Sequence, residues 1–250
     1  MAYVETYMER NLKLLDKPLR LGLLLPSSNT AMEEELAQMI PGNDVTVHAS
    51  RVRLSDVTPE ALVEMENNSE EAALELADAG VDIIEYTCSS KIGYEHEKEF
   101  AARLEKLTKV RAVPYTEGVV EGLKVLGARR IAVATPYIRE VDELETEFYE
   151  AAGFDIVNIQ GLGIVDNVTS GLVSPDSWRT FVKEVDRPDA DAIFISCTQS
   201  RTIEAVEDLE RELDKPVLAA NVAALWIMLK KTGYDKPIKG YGRLLELLGR

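Results

Sequence analysis

The sequence predicts an α/β protein made of two similar Rossmann-like lobes with parallel sheets, related by pseudo-twofold symmetry, with the active site in the cleft between them. Three observations carry this. Apolar runs alternate with amphipathic stretches along all 250 residues, the order that gives parallel sheets covered by helices on both faces. The alternation restarts near the middle of the chain. Two landmarks also recur at nearly one offset: Pro26 and Pro136, each closing a first strand, lie 110 residues apart, and Cys88 and Cys197, each closing a third strand, lie 109 apart.

In the first half, LRLGLLLPSS (19–28) reads as a buried strand running into a turn and AMEEELAQMI (31–40) as the amphipathic helix behind it. VTVHASRVRL (45–54) is a second strand, and 59–80 is one helical stretch ending on Gly80, a C-cap. VDIIEYTC is strand three, followed by the helix HEKEFAARLEKLTK, the short strand VRAVPY and the helix TEGVVEGLKVLGA. The second half repeats this as ARRIAVATPY, REVDELETEFYEAAG, FDIVNIQGLG, SPDSWRTFVKEVDR, DADAIFISC, IEAVEDLERELD and KPVLAANVAALW. Ser174 is placed to cap the helix that Pro175 opens. The expected division is a first lobe over 1–117 and a second over 118–221, with 222–250 packing back on the first.

Composition narrows the function. A hydrophobic share of 46% with 29% charged residues describes a globular chain with ample core material. A formal charge of −16 argues against nucleic acid, whose phosphates need clustered Lys and Arg. It does not disfavour a small anion, which backbone N–H groups at helix starts can hold. No apolar run approaches the roughly 20 residues of a membrane span, and the mixed, charged N-terminal stretch has no apolar signal core. The expectation is a cytoplasmic protein that binds neither nucleic acid nor membrane, with both cysteines reduced. Two histidines without metal-ligand spacing to the cysteines speak against zinc. LGLLLPSSNT lacks the G-x-G-x-x-G of a dinucleotide site. The leucine pairs of YGRLLELLGR suggest core packing or a subunit contact. A homo-oligomer, dimer or higher, is the expected assembly.

In parallel α/β sheets ligands bind at the carboxyl ends of strands. There the sequence places Pro26-Ser27-Ser28-Asn29-Thr30, Cys88-Ser89-Ser90, Pro136-Tyr137 and Cys197-Thr198-Gln199-Ser200-Arg201, with Asn167 on the loop after the second strand of the second half. The set is rich in thiol, hydroxyl and amide and poor in carboxylate and imidazole. It suits a site that holds a carboxylate through neutral donors while two thiols do covalent or proton-transfer work. Each residue also has a plainer role: a cysteine can fill a strand end as a small hydrophobe. Ser28 or Asn29 can cap a helix, Asn167 can serve a turn, and Arg201 can pair with a surface acid. Thr116 and Asn221 begin the helices after the last strand of each half, and His96 reads as a solvated helix residue.

PSSNT after the first strand, a cysteine after the third, TPY opening the second half and SCTQSRT late in the chain resemble maleate cis-trans isomerase. That family belongs to the aspartate/glutamate racemase superfamily, alongside arylmalonate decarboxylase. The resemblance implies a cofactor-independent isomerase acting on a small carboxylate or dicarboxylate. Cys88 would add to an alkene carbon of maleate and Cys197 would move the proton. Asn29, Tyr137 and Asn167 would hold the carboxylates, with Ser28, Ser89, Ser90 and Thr198 as further substrate contacts, and neither metal nor organic cofactor would be needed. One departure stands out: the isomerases carry an apolar run after the first cysteine, whereas Ser89 and Ser90 follow here. A hydroxyl pair at that place resembles the decarboxylase, which lacks the Cys88 thiol, and also ectoine-utilisation proteins. A decarboxylase or racemase of a related acid is therefore the alternative. A two-lobed carboxylate-binding protein is the non-enzymatic one.

Overall fold

The computed structural model describes residues 17–88 and 93–250. β1 (Leu19–Pro26), β2 (Val45–Val52), β3 (Ile83–Tyr86) and β4 (Arg111–Pro114) form a parallel sheet in the order β2-β1-β3-β4. β5 (Arg130–Thr135), β6 (Asp155–Gly161), β7 (Ala192–Ile195) and β8 (Val217–Ala219) form a second in the order β6-β5-β7-β8. The second sheet thus repeats the first strand for strand, as the two-lobe expectation requires. Register sharpens the match, because Leu24 of β1 pairs with Tyr86 of β3, and Ala134 of β5 with Ile195 of β7. Each cysteine lies two residues beyond that last pair.

The helices cover both faces of each sheet. They are α1 (Met32–Met39), α2 (Pro59–Asn67), α3 (Glu70–Asp78), α4 (Tyr94–Thr108) and α5 (Tyr115–Val125), then α6 (Arg139–Ala151), α7 (Asn167–Ser170), α8 (Pro175–Val185), α9 (Ile203–Leu213), α10 (Ala220–Lys231) and α11 (Arg243–Glu246). The sequence suggests one helix over 59–80; the structure breaks it at Asn68 and Ser69. There the Asn68 amide donates to the Glu64 carbonyl at 2.9 Å and the Ser69 hydroxyl to the Met65 carbonyl at 2.8 Å. Such side chains compete with the helical ladder for the same carbonyls. Ser174 accepts from the Ser177 N–H as the expected cap of α8. The VDNVTSG turn holds a single helical turn, α7, whose cap Asp166 accepts from the Thr169 N–H at 2.8 Å.

α10 is buried from Ala220 to Leu229. A helix apolar all round belongs inside a core, and this one packs on α5, α1 and β3. α5 approaches it through Gly118, where a Cβ would stand 2.5 Å from the Ala223 carbonyl oxygen and 2.8 Å from Ile227 Cγ2. Gly118→Ala is expected to lower stability by about 1–3 kcal/mol through overpacking, read as a drop in thermal midpoint. The leucine stripe of the C-terminal segment is core: Leu244, Leu245 and Leu248 are all buried. Among the described residues no helix is long and apolar enough to cross a membrane.

Candidate active site

The strand-end loops of both sheets close around a small, partly open pocket. The first lobe contributes Asn29, Thr87, Cys88 and Tyr115; the second contributes Tyr137, Asn167 and Cys197 through Gln199. Leu54, Val57, Leu62 and Val141 form an apolar wall. Among the described residues no Lys, Arg or His lines it. Both thiols face one space, as their matched positions after β3 and β7 require.

Cys88 is half-buried and packs against the apolar cluster that includes Tyr86 and Phe100, whereas Cys197 is buried. Burial pushes the Cys197 thiol above its ordinary range, partly opposed by hydrogen bonds from the Tyr137 hydroxyl, the Gln199 N–H and the Ser200 side chain. Burial also holds the Tyr115 and Tyr137 phenols well above their usual value, so both remain O–H donors at neutral pH. The Cys197 backbone has φ 85°, in the left-handed region that side-chain-bearing residues avoid.

The amides and hydroxyls expected at the site are already engaged with one another. Asn29 Oδ1 accepts from the Ala31 and Met32 N–H groups at the start of α1, both at 3.1 Å, while its Nδ2 donates to Thr198 Oγ1 at 3.1 Å. The Thr198 hydroxyl donates to the Thr87 carbonyl at 3.2 Å. The loops bearing the two cysteines are thereby tied one residue from each thiol. Tyr137 is set by its N–H donating to Thr135 Oγ1 at 3.1 Å, whose hydroxyl donates to Asp142 at 2.5 Å. Asn167 Nδ2 donates to Ser28 Oγ at 2.8 Å, and the Ser28 hydroxyl donates to the Leu54 carbonyl at 2.5 Å. Ser28 is absent from the cavity lining and touches it through Asn167. Ser89 and Ser90 lie outside the described residues. Arg201 pairs with Glu34 at 2.5 Å on the surface. His96, expected in solvent, instead bonds the buried Glu66 at 2.7 Å.

Several lining residues, Thr87, Tyr115 and the apolar wall among them, were not named as site residues from the sequence. Tyr115 opens α5 beside the Thr116 singled out at that helix start. Gln199 bridges the lobes: its Oε1 accepts from the Thr30 N–H at 2.7 Å and its Nε2 donates to the Asn167 carbonyl at 3.0 Å. The sequence placed it in the strand-end set between Cys197 and Arg201 without a role of its own.

Buried carboxyls lie behind these loops, Glu35 and Asp142 among them. Burial raises Glu35 to about 7 against the pull of Asn221, Ile203 and Thr202, and raises Asp142 to about 7 against its bond with Thr135. A carboxyl raised on folding contributes stability that is full below its unfolded pKa and is lost as pH rises through the folded one. On the acid side, Asp166, held low chiefly by the Thr169 side chain, and Asp191, held low by the Arg130 and Arg129 backbone N–H groups, lose their contribution as pH falls. Chemical denaturation should therefore give higher stability near about pH 5 than near about pH 8, and Glu35→Gln should flatten that slope.

The sequence profile described as arylmalonate decarboxylase matches residues 21–245, nearly the whole chain. The chain belongs to the arylmalonate decarboxylase family. Within and around that family, a maleate isomerase of Nocardia farcinica is 33% identical over 91% of this chain and 95% of its own length. The arylmalonate decarboxylase of Bordetella bronchiseptica is 28% identical over 90% of this chain and 96% of its own. Among solved structures, a cysteine-to-serine mutant of the Nocardia farcinica maleate cis-trans isomerase with a covalently bound succinylcysteine intermediate superposes with a TM-score of 0.86. It is 30% identical and covers 92% of this chain and 98% of that one. These relatives are enzymes, isomerases and a decarboxylase alike. The two-sheet α/β architecture expected from the sequence is the architecture of the family.

Proposed function

We propose that the protein interconverts maleate and fumarate, with Cys88 as nucleophile and Cys197 as the group that moves the proton. The observation that carries this is the pair of thiols at matched strand ends, facing one neutral cavity rich in hydrogen-bond donors. The identity to maleate isomerases over nearly the whole chain supports the same reading.

The Cys88 thiolate adds to one alkene carbon of maleate and forms a C–S bond, and the π electron pair moves to the neighbouring carbon. Cys197 gives its S–H proton to that carbon. The product is a succinyl thioether whose former double bond is single and rotates. Cys197, now a thiolate, removes the proton, the C–S pair returns to Cys88, and fumarate leaves. Electrons and protons balance with no external oxidant or reductant. A thiol held protonated by burial suits the donor step, and the more accessible Cys88 suits attack. Asn29, Asn167 and the Tyr137 phenol supply N–H and O–H groups to the carboxylates, with Thr198, Ser89 and Ser90 as further contacts and Ser28 orienting Asn167. The apolar wall keeps water from the adduct. Two cysteines acting as thiols fit a reducing compartment such as the cytoplasm.

The decarboxylase reading is favoured by the Ser89-Ser90 hydroxyl pair. Incubating the protein with maleate, and separately with an arylmalonate, under proton NMR decides between them. Fumarate formation is expected. Loss of carbon dioxide from the arylmalonate without fumarate formation would overturn the assignment.

A further inference from the structure

Behind Thr198 a buried polar chain crosses from one lobe to the other without reaching the cavity. Glu35, on α1 of the first lobe, is 3% exposed. Its Oε1 accepts from the Thr202 N–H at 2.6 Å and the Ile203 N–H at 3.2 Å, the first donors of α9. Its Oε2 accepts from Asn221 Nδ2 at 2.6 Å, and the same amide nitrogen donates to the Thr198 carbonyl at 3.0 Å.

Two features argue that this chain does more than cap a helix. First, Asn221 Oδ1 is buried with no hydrogen-bond partner. The amide is turned so that both N–H bonds are used, one toward Glu35 and one toward Thr198, at the cost of an unpaired oxygen. Second, the segment it holds begins at Cys197, whose left-handed backbone persists only where the surroundings over-determine it. Thr198, pinned through its carbonyl, then reaches Thr87 with its hydroxyl.

We infer that Glu35 is a positioning residue for the isomerisation: through Asn221 it pins the Thr198 backbone and so fixes the Cys197 sulfur relative to Cys88 across the lobe boundary. The inference rests on the two-thiol reading of the site. A carboxylate in this place is disfavoured by burial, which is why its pKa rises to about 7, and three N–H donors keep it there.

Asn221→Ala separates the two tasks, since it cuts the link to Thr198 and leaves the Glu35 bonds to α9 in place. It is expected to lower kcat on maleate by about tenfold to a hundredfold, as a small misplacement of a reacting group does, with KM little changed. Glu35→Gln should lower kcat in the same direction, whereas Glu34→Gln, at the surface pair with Arg201, should leave it unchanged. A second measurement does not depend on the substrate. Amide hydrogen exchange at 198–200 and iodoacetamide labelling of Cys197, read by peptide mass spectrometry, should both quicken in Asn221→Ala and Glu35→Gln at temperatures where the variants stay folded. Wild-type exchange and labelling in the folded variants would overturn the inference, as would wild-type kcat in Asn221→Ala. Faster labelling in the variants of a wild type that leaves maleate untouched would instead count against the substrate and keep the strut.

Discussion

Cys88→Ala is expected to remove maleate turnover by roughly four orders of magnitude or more, because it deletes the atom proposed to form the covalent bond. Alanine supplies neither nucleophile nor acid, and the remaining cavity can only bind. The loss should be chemical and not structural. Cys88 is only half-buried, so the thermal midpoint should stay within about 3 °C of wild type. Proton NMR of maleate with the purified variant checks the first statement, and a melting curve the second. A variant that kept a tenth of wild-type turnover would remove Cys88 from the covalent role.

Cys197→Ser is expected to leave the nucleophile and weaken the proton step, lowering kcat by about 10²- to 10⁴-fold. Intact-protein mass spectrometry after mixing with maleate should then show one maleate added to Cys197→Ser and none to Cys88→Ala. The covalently bound succinylcysteine in the cysteine-to-serine mutant of the Nocardia farcinica relative is what such a trapped species looks like. The pH profile gives an independent check. Burial pushes the Cys197 thiol up, so the protonated donor survives above the ordinary thiol range. Activity should decline on the alkaline side as pH rises through that raised value, and Cys197→Ser should lose this limb. Adduct formation on Cys88→Ala would exchange the two roles.

The strands and the duplication were legible because central parallel strands are buried on both faces. All four residues of β3 and of β7 are buried, and apart from Glu85 and the Tyr86 hydroxyl they are apolar, so both strands stand out from the amphipathic helices. The cysteines were legible because they recur at the end of the same strand in each half. Hydroxyl and amide roles were harder, since a side chain's partner can lie far along the chain. Ser28 meets Asn167 139 residues away, and nothing in PSSNT announces it. The three consecutive acids of α1 show the limit. Glu33 pairs with Arg51 and Glu34 with Arg201 at the surface, while Glu35 is buried against the other lobe. In composition they are alike, and only the helical period, which puts position 35 on the face of Met32, Leu36 and Met39, separates the third. The break at Asn68 escaped for a similar reason, because the hydrophobic pattern runs through it.

The repeated strand order has a further meaning for how such chemistry can exist. A site shared by two copies of one short chain would surround both thiols with the same neighbours, and two equal thiols would compete for the same proton. With both halves carried on a single polypeptide, each cysteine can acquire its own surroundings. Here Thr198 and Gln199 follow one, and Ser89 and Ser90 the other. One sulfur is sealed in and the other left approachable. The proposed division of labour between nucleophile and acid would depend on that broken symmetry, which a single chain carrying both halves permits.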